Sequence, residues 1–229
     1  MKLILIRHGE TDYNAENKYC GFSNPSLNKK GIEQARKLYR DFKKESAGAI
    51  RELPAKIDRV YSSDLQRAYQ TAKIVFPELE VEIKQNFREM NFGLFEGLKY
   101  NEITQKYPEI YQNWLKNPLE TEIPQGESLK ALAKRVRGEL KELLSENIGK
   151  TVALVTHGGP IRVIILDKQK RDLKNFWNIY PVRKKIGVQP FLSSRTEFSN
   201  GVIQDLGIIC IMKYNYKRAG APLARARNL

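Results

Sequence analysis

Two hydrophobic rhythms alternate along this chain. Residues 2–6 read as a short strand, apolar from Leu3 to Ile6, of the kind buried on both faces of a parallel sheet. After a polar loop, Ile32, Ala35, Leu38, Tyr39 and Phe42 recur at helical spacing and mark one face of an amphipathic helix. Residues 56–61 read as a second strand. Ser63 and Gln66 have the spacing of a capping box, and Leu65, Ala68, Ala72 and Val75 supply the buried stripe of the helix it would start. A strand is expected at Val81–Ile83. Between 88 and 125, Gly93, Gly97, Pro108, Pro118 and Pro124 interrupt any period, which predicts short helices and loops. Leu129, Leu132, Val136, Leu140 and Leu143 define a long helix, and a strand follows at 151–156.

Strands alternating with helices predict the α/β class, as a three-layer α/β/α sandwich with a mainly parallel central sheet. Beyond Trp177 the pattern weakens. Residues 196–203 suit a hairpin turning at Ser199-Asn200-Gly201, and 206–212 are apolar enough for a further strand. The end, from 217, has no period with which to pack. The expected organisation is one domain over 1–212 and a frayed basic tail over 213–229.

In such sheets ligands bind at the carboxyl ends of the strands. The chain has only two histidines, and His8 and His157 each fall just past an apolar strand pattern and are each followed by glycine. Composition narrows the chemistry around them. Two cysteines, Cys20 and Cys210, give no disulfide framework and suit a reducing cytoplasm. So few cysteines and histidines argue against a zinc site. No run approaches the ~18 consecutive apolar residues of a membrane span, and the apolar start is too short for a signal peptide.

The net charge of +14 suggests a polyanionic partner, but residues 168–229 carry +10 of it, with thirteen Lys/Arg against three Asp/Glu. The basicity is thus concentrated in the C-terminal quarter, as a solvated surface or as a docking face for nucleic acid or another polyanion. No recognisable nucleic-acid module accompanies it.

Histidine is a competent nucleophile at neutral pH, because much of its imidazole is then unprotonated. Arg7, beside His8, offers paired planar donors suited to phosphate. HGGPIR places Gly158, Gly159 and Pro160 at the opening of a helix, where backbone amides could bind an anion. Arg67, near the start of the helix after the second strand, could point to the same sheet edge. On these residues alone, a phosphate-handling site fits as well as structural hydrogen-bonding roles do.

The motifs go further. RHGET at 7–11, Asn14, SLNKKG at 26–31, YSSDLQRAYQTA at 61–72, FREMNFGLFEGLKYNEI at 87–103, PQGES at 124–128 and VTHGGPIR at 155–162 follow one another in order. Together they resemble the histidine phosphatase superfamily, the phosphoglycerate mutase-like proteins, over about residues 1–177. The resemblance implies that His8 is a nucleophile carrying the phosphoryl group as phosphohistidine. It implies a phosphate pocket of Arg7, Arg67 and His157, with Asn14 as a further hydrogen-bonding position and Gly158 at the helix opening. It makes Glu89 the proton donor to the leaving group. No metal or cofactor is implied, since fixed cationic donors can stabilise the charge that develops during transfer.

Mutases of this family resemble the chain at the pocket but carry a longer insertion before the second histidine. Here Glu89 and His157 lie 68 residues apart, and no Arg-Arg pair stands between them. With NFGLFEGL and HGGPIR, this looks closer to the branch of α-ribazole phosphatases, enzymes of cobalamin biosynthesis, and broad-specificity phosphatases. The expected activity is hydrolysis of a small phosphorylated metabolite in the cytoplasm. The alternatives are phosphoglycerate mutase-type transfer and polyanion binding through the basic C-terminus. Two features depart from the pattern: Cys20 stands where such relatives usually have glutamine, and 182–195 resembles nothing expected there.

Overall fold

The computed structural model describes residues 1–46, 56–179 and 209–213. The divergent segment 182–195, the expected hairpin at 196–203 and the tail after Lys213 lie outside the described residues.

Among the described residues five strands form one sheet: β1 (Lys2–Arg7), β2 (Arg59–Ser62), β3 (Val81–Ile83), β4 (Thr151–Thr156) and β5 (Ile209–Lys213). Their order is β3-β2-β4-β1-β5. The first four are parallel, and β5 runs antiparallel along β1. The helices are α1 (Asp12–Ala15), α2 (Lys29–Ser46), α3 (Gln66–Val75), α4 (Tyr100–Lys106), α5 (Pro108–Lys116), α6 (Leu129–Glu146) and α7 (Gly158–Lys168).

Alternation along the strands builds three layers. Ile4, Ile6, Val60, Ala153 and Val155 pack against Ala35, Leu38 and Phe42 of α2 and Ala68, Ala72 and Val75 of α3. Leu3, Leu5, Tyr61, Val152 and Leu154 point to the opposite face, under α6, α7 and the aromatic side chains Phe95, Tyr111 and Trp114. Both faces are apolar because both are covered. Among the described residues no helix is long and apolar enough to cross a membrane.

Local chemistry sets the element ends. Ser128 caps α6 by accepting the Ala131 N–H at 3.3 Å. Pro108, which reads as an interruption in the sequence, occupies the first turn of α5, where its missing N–H costs nothing. Two expectations shift. The second strand starts at Arg59 rather than 56, because the Thr151 N–H is taken by the Asp58 carboxylate at 2.8 Å and not by a ladder carbonyl. The capping box at Ser63 does not form. Helix α3 begins at Gln66 without a side-chain cap from Leu65, and the Gln66 N–H goes to Asn24 Oδ1 at 2.6 Å.

The strand β4 lies between β1 and β2, with Leu154 fully buried. Leu154→Ala should therefore cost about 2–5 kcal/mol of stability, read from denaturant unfolding. A loss near zero would show that this face of the sheet is not closely packed.

Candidate active site

The parallel register delivers the site. Arg7 and Thr156 pair across β1 and β4, and the His8 N–H donates to the Thr156 carbonyl at 3.0 Å. His8 and His157 thus leave adjacent strands at the same level, and their rings lie 5.0 Å apart, centroid to centroid. On the other side of β4, the Ser63 N–H donates to the Val155 carbonyl at 3.0 Å. Ser63 is then level with His157, and its Oγ lies 2.9 Å from His157 Nε2. The same Oγ also accepts the Leu65 N–H at 3.3 Å, one residue short of the start of α3.

His8 Nδ1 lies 2.7 Å from the Gly9 carbonyl oxygen. A carbonyl can only accept, so Nδ1 carries the proton and neutral His8 keeps its lone pair on Nε2. Burial, together with the Arg67 and Arg7 charges, holds the His8 pKa well below the ordinary histidine value. His157 is depressed in the same way, by burial and then by Arg67, His8, Arg7 and Arg135. Both rings are neutral at pH 7.

Arg67 is fully buried at the start of α3. Its Nη1 donates to Ser23 O and its Nη2 to Gly21 O, each at 2.7 Å. Its Nε, like His157 Nδ1, is buried without a hydrogen-bond partner. An unsatisfied buried donor is costly, so the Arg67 Nε–H marks a place suited to an anionic oxygen. The Glu96 carboxylate fixes the same loop from its other side, accepting the N–H groups of Gly21, Phe22 and Ser23 at 2.8–3.1 Å.

Glu89 faces the head of α7. Its Oε1 accepts the Gly159 N–H at 3.0 Å and the Met90 N–H at 2.9 Å. A Cβ on Gly159 would overlap Glu89 Oε1, so only glycine admits this approach. One amide of the helix opening is therefore taken by a carboxylate instead of standing open to a phosphate. Gly158 opens the helix directly after His157. Asn14 serves α1: its Oδ1 accepts the Thr11 N–H at 3.1 Å and the Thr11 hydroxyl at 3.0 Å.

The structure thus brings His8, Arg7, Arg67, His157 and Glu89 into one electrostatically coupled group. Burial raises the Cys20 thiol to about 11, so it is not a thiolate at neutral pH. Among the described residues no group of three or more His, Cys, Asp or Glu is placed to hold a metal ion. Ser63, Glu96 and Arg135 were not legible as site residues, although Ser63 shares with the histidines a place just after a strand.

A parallel sheet whose carboxyl edge gathers two neutral imidazoles and two guanidinium groups belongs to the class of α/β proteins built to handle an anion. The chain belongs to the histidine phosphatase superfamily (branch 1), whose family model matches residues 3–185. It is 32% identical over 180 residues to phosphoserine phosphatase 1 of Hydrogenobacter thermophilus, covering 78% of this chain and 81% of that one. It is 31% identical over 175 residues to a 2,3-bisphosphoglycerate-dependent phosphoglycerate mutase of Parvibaculum lavamentivorans, covering 73% and 80%. The crystal structure of the α-ribazole phosphatase of Shigella flexneri superimposes with a TM-score of 0.67 at 29% identity, covering 77% of this chain and 84% of that one. The family and its phosphatase relatives make this chain a phosphatase.

The depressed histidines have a stability consequence. Released by unfolding, each takes up a proton near the ordinary value of about 6.5, whereas the native state resists it. Stability should therefore fall as pH drops below ~6.5, by up to about 1.4 kcal/mol per pH unit for each histidine. Melting curves between about pH 7 and pH 5 should show a steeper decline for the wild type than for His8→Asn or His157→Asn. Equal slopes would mean that neither imidazole is held neutral.

Proposed function

We propose that the protein is a metal-independent phosphomonoesterase working through phosphohistidine at His8. The observation that carries this reading is a neutral His8 with its lone pair on Nε2, set beside Arg7, Arg67 and His157. In the first half-reaction Nε2 attacks phosphorus, an N–P bond forms, and the ester P–O bond breaks. The Nδ1–H···O=C bond to Gly9 holds the ring's tautomer and steadies the positive charge it acquires. Arg7, Arg67 and His157 supply donors to the equatorial oxygens, with Asn14 Nδ2 and the Gly158 amide as further positions. Glu89 gives a proton to the leaving alkoxide. In the second half-reaction the Glu89 carboxylate takes a proton from water as that water attacks phosphorus, and the N–P bond breaks to release inorganic phosphate.

The substrate class is a small phosphorylated metabolite. The names of the relatives make phosphoserine and α-ribazole 5'-phosphate the first two to test, and a cytoplasmic setting fits both. A hydrolysis screen over phosphomonoesters, with bisphosphoglycerate-primed mutase activity assayed alongside, separates this reading from mutase-type transfer. Primer-dependent isomerisation without net phosphate release would favour the mutase.

Two variants test the chemistry. His8→Ala should abolish turnover, and rapid quenching of the wild type without acid should trap a phosphoramidate on His8. Full activity of His8→Ala would end the covalent mechanism. Glu89→Gln should slow alkyl phosphates by about 100- to 10,000-fold and aryl phosphates much less, because aryl leaving groups need little protonation. Equal losses in kcat/KM for both classes would assign Glu89 another task.

A further inference from the structure

Arg135 lies in α6, outside the group of residues that faces the histidines' sheet edge, yet its guanidinium is fully engaged. Nε donates to Glu127 Oε2 at 3.0 Å, and Nη2 donates to Glu127 Oε1 at 2.6 Å. Nη2 also donates to the backbone carbonyl of Glu89 at 2.7 Å. Nη1 donates to the carbonyls of Asn86 and Arg88, both at 2.8 Å. A guanidinium has five N–H donors, and all five are used. Nothing is left over for a substrate.

The bonds converge on one short segment. Arg135 grips it at the carbonyls of residues 86, 88 and 89, and Glu127 Oε1 accepts the Asn91 N–H at 2.9 Å. The Thr156 hydroxyl, at the end of β4, donates to Phe87 O at 2.6 Å. Glu89 is the residue these bonds enclose. The Arg135 and Glu127 side chains are only 17% and 14% exposed, so water does not compete freely for the pair. Phe22 covers the guanidinium, with its ring centroid 5.7 Å from Arg135 Cζ. No α-helix or strand supplies this order: the segment begins in a single 3-10 turn at Gln85–Phe87 and runs without regular structure toward another at Gly93–Phe95. The carboxylate's reach to Gly159 depends on backbone that side chains hold in place.

We infer that Arg135, with Glu127, is the positioning residue of the Glu89 carboxylate, fixing the segment 86–91 so that the proton donor meets the leaving group. This rests on the role proposed above for Glu89. Lysine cannot replace the fork, since one ammonium has three donors and no fixed plane.

The test is Arg135→Lys in the full chain, alone and combined with Glu89→Gln, assayed on an alkyl and an aryl phosphate. Misplacing a catalytic group by about an ångström costs on the order of 100-fold. Arg135→Lys should therefore lower kcat for the alkyl ester by about 100-fold while leaving its KM and the aryl ester nearly unchanged. In the Glu89→Gln background the same change should cost nothing further, because the group it positions has already lost its proton. Equal loss on both esters by folded protein, or a loss that multiplies with that of Glu89→Gln, overturns the inference and leaves Arg135 a purely structural residue. If Glu89→Gln itself slows both esters alike, the proposed donor role fails, and the inference fails with it. Should Arg135→Lys not fold, the paired exchange Arg135→Gln with Glu127→Gln removes both charges together and permits the same comparison.

Discussion

Two neighbouring arginines, Arg67 buried and Arg7 half-buried, are the constraint around which this site is built. Burial lowers the pKa of Arg7 and of Arg67, each guanidinium adds to the cost of protonating His8, and the Glu89 carboxylate opposes the effect at both arginines. A guanidinium keeps its proton under such pressure, so the imidazoles give way and stay neutral. The electropositive pocket and the neutral histidines are therefore one fact. The same charges that would hold a phosphoryl group keep a lone pair on the ring that would attack it.

The loop at 20–23 carries the other half of that balance. Its carbonyls at Gly21 and Ser23 face Arg67, and its N–H groups at Gly21, Phe22 and Ser23 face Glu96. The peptide units thus lie between a cation and an anion with their dipoles aligned to both. Gly21 is required there, since a Cβ would overlap the Met90 carbonyl and the Glu96 carboxylate. Further along, the Glu10 carboxylate accepts from Asn28 Nδ2 at 3.1 Å and Lys30 Nζ at 2.8 Å. The RHGET and SLNKKG motifs are separate in sequence and joined at this carboxylate.

Much of this was legible along the chain. The apolar runs ending at Arg7 and Thr156 told where two parallel strands stop, and a strand end is where a parallel sheet binds. Periodicity found α2, α3 and α6 because each buries one continuous stripe. What escaped were bonds from a side chain to distant parts of the chain. Ser63 has the spacing of a cap, yet its hydroxyl is drawn to His157, 94 positions away. Arg135 sits on a helix with ordinary amphipathic spacing, and nothing local tells that three of its five hydrogen bonds reach carbonyls 46 to 49 positions back. Local patterns report local periods; a guanidinium that organises irregular backbone leaves none.

The head of α7 shows how these separate pieces come to depend on one another. An exposed helix N-terminus is a ready anion site, and HGGPIR invites that reading. Here the Gly159 N–H is already met by the Glu89 carboxylate, so under the proposed chemistry recognition of a phosphate would fall chiefly to side chains, which bring full charges and fixed planes. The carboxylate is held at the helix end by that bond and by the Met90 N–H. That contact lasts only while the carboxylate stays at the helix, and the backbone behind it is irregular. Arg135, through its carbonyl bonds at residues 86, 88 and 89, ties that irregular segment to α6.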